Sequence, residues 1–196
     1  GVQARGGGKG NRIERNVLVC ENRLRSAPGQ RNGLSLGGAG SITAHCRGKR
    51  CAPEQDGGVI DSNLVASCSD EGLHLNRAAA TTITHNTLLD TAGMAVQWTE
   101  SAADIQGNIV DGRIVAKDGA AVREEDNLDT GVTRLFMGAH PLRDLFAGTA
   151  SLDLHWRGEA PRRDAGQAAD ADLCGSARPA EPAYGAFEDF SACLTN

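Results

Sequence analysis

A few side chains in this sequence could move protons or offset negative charge along one exposed surface. His74, Lys117 and Arg123 are the candidate catalytic groups, and Gln97 and Arg113 are candidate substrate contacts beside them. Removing a proton next to a carboxylate needs a base such as His, Lys or Arg. It also needs a cation to offset the carboxylate's charge. Residues of these types, placed one per structural repeat, would line a groove. A second candidate is a basic loop, in which Arg47, Lys49 and Arg50 lie between Cys46 and Cys51 and suit an anionic partner. Hard oxygen ligands occur as well: Asp164, Asp170 and Asp172 near the tail, and Asp126 and Asp129 flanking Asn127. No cofactor or metal is expected, because EF-hand spacing is missing, but these aspartates would suit Ca²⁺.

Other chemistry drops out quickly. Gly6-Gly7-Gly8-Lys9-Gly10 lacks the spacing and the Ser/Thr of a phosphate-binding loop. The five histidines form no His-Glu-x-x-His pair. Two Trp and one Tyr offer little to stack on bases, so no nucleic-acid partner is expected. No run of about 18 apolar residues could span a membrane. Without an initiator Met or an apolar stretch near Gly1, the chain is expected to be a mature product or a piece of something longer.

Charge is unevenly spread. Residues 1–52 carry ten Lys/Arg against Glu14 and Glu21, a balance of +8, so of the net −5 the remainder carries −13. Such asymmetry marks the first part as a contact for an anionic partner, or simply as a solvated basic stretch. Six cysteines without a Cys-x-x-Cys pair point to disulfides in an oxidising compartment, and fifteen pairings are open. Proximity in sequence favours Cys46 with Cys51 and Cys174 with Cys193, leaving Cys20 with Cys68.

The elements that must position these groups are announced by a repeat. Ile13 and Asn16, Ile60 and Asn63, Ile83 and Asn86, and Ile105 and Asn108 share one spacing, and the last three asparagines are 23 and 22 residues apart. A period in this range signals stacked units, not one ordinary core. Each unit holds two strand-like pieces, one around the Asn and one after a Gly, as in Gly72-Leu73-His74-Leu75 and Gly33-Leu34-Ser35-Leu36. Alternation puts Leu73 and Leu75 on one face and His74 on the other. About 22 residues leave no room for crossover helices, so the chain is expected to coil and lay each strand on its predecessor. The fold class expected is all-β, a right-handed parallel β-helix, with an irregular C-terminal capping segment.

In that fold Asn16, Asn63, Asn86 and Asn108 form a structural stack at a corner, where Asn also tolerates a left-handed conformation. The isoleucines form its apolar companion. The interval from Asn16 to Asn63 is 47 residues. It holds either two long loops or a further, degenerate rung around Ser41-Ile42-Thr43-Ala44-His45. Residues 1–140 read as rungs, the C-terminal part of a longer solenoid. Residues 141–196 read as a cap over the last rung, with an Asp/Gly turn and a Gly-Ala-Phe-Glu ending.

The stretch from Ile83 to Leu88 and from Ala103 to Gly112 resembles the right-handed parallel β-helix repeat proteins of bacteria, a group that includes pectate-lyase-like and chondroitinase-B-like enzymes. The tail is similar to the ending of secreted members: Ser151-Leu152-Asp153-Leu154-His155-Trp156, Asp164-Ala165-Gly166, Asp170 to Pro179, and Tyr184-Gly185-Ala186-Phe187-Glu188. Trp156 departs from the usual aliphatic residue, and Leu173-Cys174 widens the Asp/Gly turn. The resemblance implies a secreted or envelope protein, extracellular or periplasmic, that engages polysaccharide, in particular uronate-containing polysaccharide, and is a monomer. If the chain is an enzyme, the implied chemistry is polysaccharide lyase β-elimination. The alternative is a non-catalytic surface, adhesion or structural module on the same scaffold.

Overall fold

The computed structural model describes residues 1–20, 31–38, 46–47, 50–164 and 171–195, with the backbone alone at 46, 47, 50 and 51. The chain makes five passes. The first runs through β1 (Val2–Ala4), β2 (Gly8–Lys9), β3 (Arg12–Glu14) and β4 (Val17–Val19). The second holds β5 (Leu34–Gly37), a hairpin of β6 (Cys46–Arg47) and β7 (Arg50–Cys51), then β8 (Gln55–Asp56), β9 (Val59–Asp61) and β10 (Leu64–Ala66). The third is β11 (Leu73–Asn76), β12 (Ala78–Ala79), β13 (Thr81–Thr84) and β14 (Thr87–Leu89). The fourth is β15 (Gly93–Gln97), β16 (Ala102–Gln106) and β17 (Ile109–Val110), and the fifth is β18 (Arg113–Lys117), β19 (Ala121–Glu125) and β20 (Leu128–Asp129).

Strands from successive passes pair in parallel and build three five-stranded sheets. The first has the order β1-β5-β11-β15-β18, the second β3-β9-β13-β16-β19 and the third β4-β10-β14-β17-β20, with a small sheet β2-β8-β12 between the first two. The chain visits the sheets in the same cyclic order on every pass. The architecture is all-β with parallel, unclosed sheets, compatible with a β-helix. Strand β3 pairs directly with β9, and β4 with β10. The interval between Asn16 and Asn63 is therefore one pass with long excursions, and no extra rung intervenes in these sheets. Ser41 to His45 lie outside the described residues.

Period-two alternation fills the interior. Leu34, Leu73, Met94 and Ile114 are register partners, as are Leu36, Leu75 and Val96, and so are Ile13, Ile60, Ile83 and Ile105. Together with Val65, Leu88 and Val110 they make one core, and most are fully buried. Each such side chain contributes about 1.5–3 kcal/mol of apolar burial.

The corner between the second and third sheets is held by amides. Asn16 Nδ2 donates to Asn63 Oδ1 (2.9 Å), Asn63 to Asn86 (2.9 Å), Asn86 to Asn108 (3.0 Å) and Asn108 to Asn127 (2.9 Å). Each Nδ2 from Asn63 onward also donates to the carbonyl of the isoleucine one pass earlier: Ile13, Ile60, Ile83 and Ile105. Asn127 extends the row by one member beyond the sequence repeat. The left-handed residue is not the Asn. It is the residue before it: Arg15 (φ 54°), Ser62 (53°), His85 (52°), Gly107 (69°) and Asp126 (56°). The Asn itself stays free to bond along the stack, and its neighbour absorbs the bend.

After the fifth pass come a short helix α1 (Val132–Phe136), a 3₁₀ turn at Pro141–Leu145, and an antiparallel pair β21 (Phe146–Gly148) and β22 (Asp153–Trp156). This segment lies along the side of the coil, not over its last pass. Phe146, Leu154, Ala186 and Phe187 pack on Leu64, Ala66, Leu89 and Ile109, the residues of the third sheet that face away from the core. Strands β18 and β19 stay largely exposed. Phe146, Trp156, Phe187 and Phe190 stack with centroids 4.8–6.0 Å apart, so the few aromatics are concentrated here and not inside the coil. Gly185 (φ +80°) makes the docking close, since a Cβ there would sit 2.4 Å from Thr87 Oγ1. Cys174 is bonded to Cys193 within the segment, and Cys20 to Cys68 across the first two passes. Cys46 and Cys51 are opposed in the backbone of the hairpin, and their side chains lie outside the described residues.

Candidate functional site

The first sheet presents a polar row on the face opposite its leucines. Ser35 and His74 are register partners on β5 and β11, and Asn76, Gln97 and Lys117 are partners on β11, β15 and β18. The same alternation that buries Leu34, Leu36, Leu73 and Leu75 turns these residues the other way. His74 Nε2 lies 3.1 Å from Gln97 Oε1, and Gln97 Nε2 donates to Asp118 Oδ2 at 2.6 Å. The Gln97 amide nitrogen is thus committed to Asp118, and its oxygen can only accept. His74 Nε2 is therefore the donor to Gln97 Oε1, and Nδ1 is the ring nitrogen left outside that bond.

Beside this row lies a cavity of about 350 Å³, lined by Gln3, Arg5, Asn32, Ser35, His74 and Asn76 among others. Arg5 Nε donates to Gln3 Oε1 (2.6 Å), and Arg77 Nη1 donates to Asn76 Oδ1 (3.2 Å). His74 is 3 % exposed and Ser35 6 %, and both line the cavity.

The expected site residues are distributed unevenly about this row. His74, Gln97 and Lys117 share the first sheet, and Arg113 begins its last strand. Lys117 Nζ donates to Glu71 Oε1 (2.8 Å). Burial alone would raise the Glu71 carboxyl, but the Lys117 hydrogen bond, a backbone N–H and the charges of Lys117 and His74 hold it below the usual range. Lys117 is thus a paired cation. Arg123 belongs to the second sheet, where it bonds Glu125 (2.9 Å) and faces Asp104 (3.9 Å), so it does not join His74. Arg47 and Arg50 sit on the hairpin, with side chains outside the described residues, and Lys49 lies wholly outside them.

Ser35, Asp118 and the cavity residues other than His74 were not anticipated from sequence. A signal for Ser35 existed, because Gly33-Leu34-Ser35-Leu36 and Gly72-Leu73-His74-Leu75 share one pattern and so align the two polar residues.

Two other charged clusters tie the C-terminal segment to the coil. His85 is fully buried at a corner with neither ring nitrogen hydrogen-bonded, and its Nδ1 is 3.6 Å from Asp61 Oδ1, an electrostatic contact only. Burial, then the nearby charges of Arg178 and Arg163, push His85 below its ordinary value, against the pull of Asp61. Burial would raise Asp61, but His85, Thr84 and Ser62 outweigh it and leave it low. Arg178 donates to Glu188, Ser62 and Gly185, and Arg163 to Asp126 (2.7 Å) and Gln106. Tyr184 also donates to Asp126, and burial followed by that carboxylate pushes the phenol up to about 12. At a second corner, buried Asp111 accepts from Arg143 Nε and pairs with His140 Nδ1 (2.7 Å). Burial would raise Asp111, and those two partners hold it low.

Three of the aspartates that suited calcium have other partners. Asp126 meets Arg163 and Tyr184, Asp129 accepts from Gly131 N, and Asp172 accepts from Ser176 N and Glu188 N. Asp170 lies outside the described residues. Among the described residues no group of three or more His, Cys, Asp or Glu could hold a metal ion, and no helix is long and apolar enough to cross a membrane. Compared with family models, curated proteins and solved structures, the chain matches none.

Proposed function

We propose that the chain is a right-handed parallel β-helix of the broad pectate-lyase-like and chondroitinase-B-like group, from a bacterium, and that it engages polysaccharide outside the cell or in its envelope. The cyclic visiting of three parallel sheets and the amide row at one corner support the fold, and right-handed crossovers are the rule between parallel strands. Two disulfides fit an oxidising compartment. The observation that carries the functional reading is the polar row His74–Gln97–Asp118 beside a polar cavity on one sheet face. None of the described residues lining that cavity is acidic and Arg5 brings a positive charge, which suits a carboxylated sugar.

In the catalytic form of this reading His74 Nδ1 is the base that removes the proton beside a uronate carboxylate, and Lys117, Arg113 and Arg5 offset charge. The basic loop of Arg47, Lys49 and Arg50 adds affinity. Incubation with pectin, alginate and a glycosaminoglycan should then generate an unsaturated product with ultraviolet absorbance, and His74→Ala should abolish it. Silence of the full chain across that panel overturns lyase chemistry. The burial of His74 and the pairing of Lys117 with Glu71 favour the second reading, a non-catalytic binding or adhesion module. That module would retain the protein on an anionic glycan column without turnover, and changing Arg47, Lys49 and Arg50 together to Ser should weaken retention.

A further inference from the structure

The tautomer fixed at His74 leads to a different chemistry from proton abstraction at carbon. We propose that Ser35, His74 and Gln97 form a nucleophile–base–orienter row for hydrolysis of acyl esters, with the O-acyl group of a sugar as the substrate class. The inference uses the cavity assigned to polysaccharide above but does not need the lyase reaction.

Three observations carry it. Ser35 and His74 are register partners on adjacent parallel strands, which lie about 4.8 Å apart, and both line one cavity. His74 Nε2–H donates to Gln97 Oε1, so Nδ1 is the atom left to take a proton from a hydroxyl. Gln97 is itself fixed from behind by Asp118, which stops the amide from turning over and reversing the tautomer. A base held by an acceptor on its far nitrogen is the arrangement that activates a serine or cysteine on several unrelated scaffolds. Ser35 and His74 are neighbours without a hydrogen bond between them, the looser geometry common in resting sites before substrate tightens it.

The cavity also supplies donors for an oxyanion. Asn76 Oδ1 is occupied by Arg77, and its Nδ2 lies on the side of Gly38, which borders the cavity. Arg5, which keeps its terminal nitrogens beyond the bond to Gln3, is the second donor. A volume of about 350 Å³ accommodates one acylated sugar unit.

The steps balance without any further reagent than water. Ser35 Oγ attacks the acyl carbonyl carbon as His74 Nδ1 takes the hydroxyl proton, and the carbonyl electron pair moves to oxygen beside Asn76 and Arg5. The tetrahedral species collapses with cleavage of the bond to the sugar oxygen, which takes the proton from Nδ1 and leaves as the free sugar hydroxyl. Water then attacks the acyl-serine, giving its proton to Nδ1, and the carboxylic acid departs as Ser35 Oγ regains that proton. Gln97 is a positioning residue throughout.

The test uses the full chain with p-nitrophenyl acetate, an acetylated xylan and a fluorophosphonate. Acetate release and a single fluorophosphonate adduct mapped by peptide mass to Ser35 are expected. Ser35→Ala should lower hydrolysis at least about 10³-fold, and Gln97→Leu roughly 10²- to 10⁴-fold. Gln97→Glu combined with Asp118→Asn keeps the acceptor for Nε2–H and lets the new amide at position 118 hold it from behind, so it should restore most activity and move the acid limb of the pH–rate profile upward, which a purely structural role for Gln97 would not do. An adduct elsewhere, or hydrolysis unchanged in Ser35→Ala, overturns the proposal. An aryl ester requires no glycan recognition, so a chain that cleaves it through Ser35 while ignoring every polysaccharide refutes the polysaccharide reading alone. Glycan binding or lyase activity without any Ser35-dependent ester cleavage refutes this one alone.

Discussion

Replacing Asn86 by Ala should remove more stability than any other single change in the amide row. Asn86 is fully buried and sits at its middle. Its Nδ2 donates to Ile60 O (3.0 Å), Thr84 O (2.9 Å) and Asn108 Oδ1 (3.0 Å), while its Oδ1 accepts from Asn63 N (3.0 Å) and Asn63 Nδ2 (2.9 Å). Alanine strands those partners where water does not reach, and the Asn63 backbone N–H loses its acceptor outright. At about 1 kcal/mol net per bond, with about 1–3 for a donor left unsatisfied, the loss is about 4–6 kcal/mol. That is a large share of the roughly 5–15 kcal/mol that holds a domain together. Asn127→Ala is the internal control. Its groups lie at the open end of the row, partly exposed, so water replaces them and the cost should be about 1–2 kcal/mol. Urea denaturation of both variants, compared at equal slope, gives the difference. Equal losses at the two positions, or less than about 1 kcal/mol at Asn86, would refute the view that the amides hold the corner.

Three further outcomes are expected. His85 lies below its ordinary value of 6.5 when folded, so its contribution is present above that pH and is lost as pH falls below it, by at most about 1.4 kcal/mol per pH unit. His85→Gln should remove that part of the acid slope in denaturation curves, and the carboxylate part at lower pH, from the lowered Asp61, should shrink to what Thr84 and Ser62 sustain. Opening Cys20–Cys68, separated by 48 residues, should cost about 4 kcal/mol, and opening Cys174–Cys193, separated by 19, about 3. Paired Cys→Ser variants read by thermal melting test the order. Gly185→Ala should loosen the C-terminal segment from Thr87 and Ile109, seen as faster limited proteolysis after residue 141 and a changed Trp156 emission, with the coil left intact.

The apolar positions were easy to read in the sequence because Ile60, Ile83 and Ile105 recur at nearly one interval and their neighbours alternate. Asn127 escaped notice because Glu124 occupies the isoleucine slot opposite Ile105 and the spacing shortens to 19. The corner bend was assigned to the asparagines, yet it falls on the residue before each, a distinction set by hydrogen bonds between passes and invisible within one. His74 and Gln97 could be placed on one face from alternation alone. Their bond could not, because it runs diagonally and depends on Gln97 standing opposite Asn76. Arg123 looked equivalent to Lys117 until the order of strands put it on another sheet. The arginines that clamp the tail, Arg163 and Arg178, meet carboxylates 37 and 10 residues away, and no local pattern announces either pair.

The amide row also has an electrical consequence. Every link runs the same way, from the nitrogen of one pass to the oxygen of the next, so the side-chain dipoles align head to tail and polarise one another. Their N–H ends point toward the fifth pass. Arg5, Lys9, Arg12 and Arg15 lie on the first pass, at the negative end of this column, while Glu124, Glu125, Asp126 and Asp129 lie on the fifth, at its positive end. The coil thus behaves as an axial electret whose ionised side chains are sorted to oppose its poles, much as acidic and basic residues are sorted along a helix.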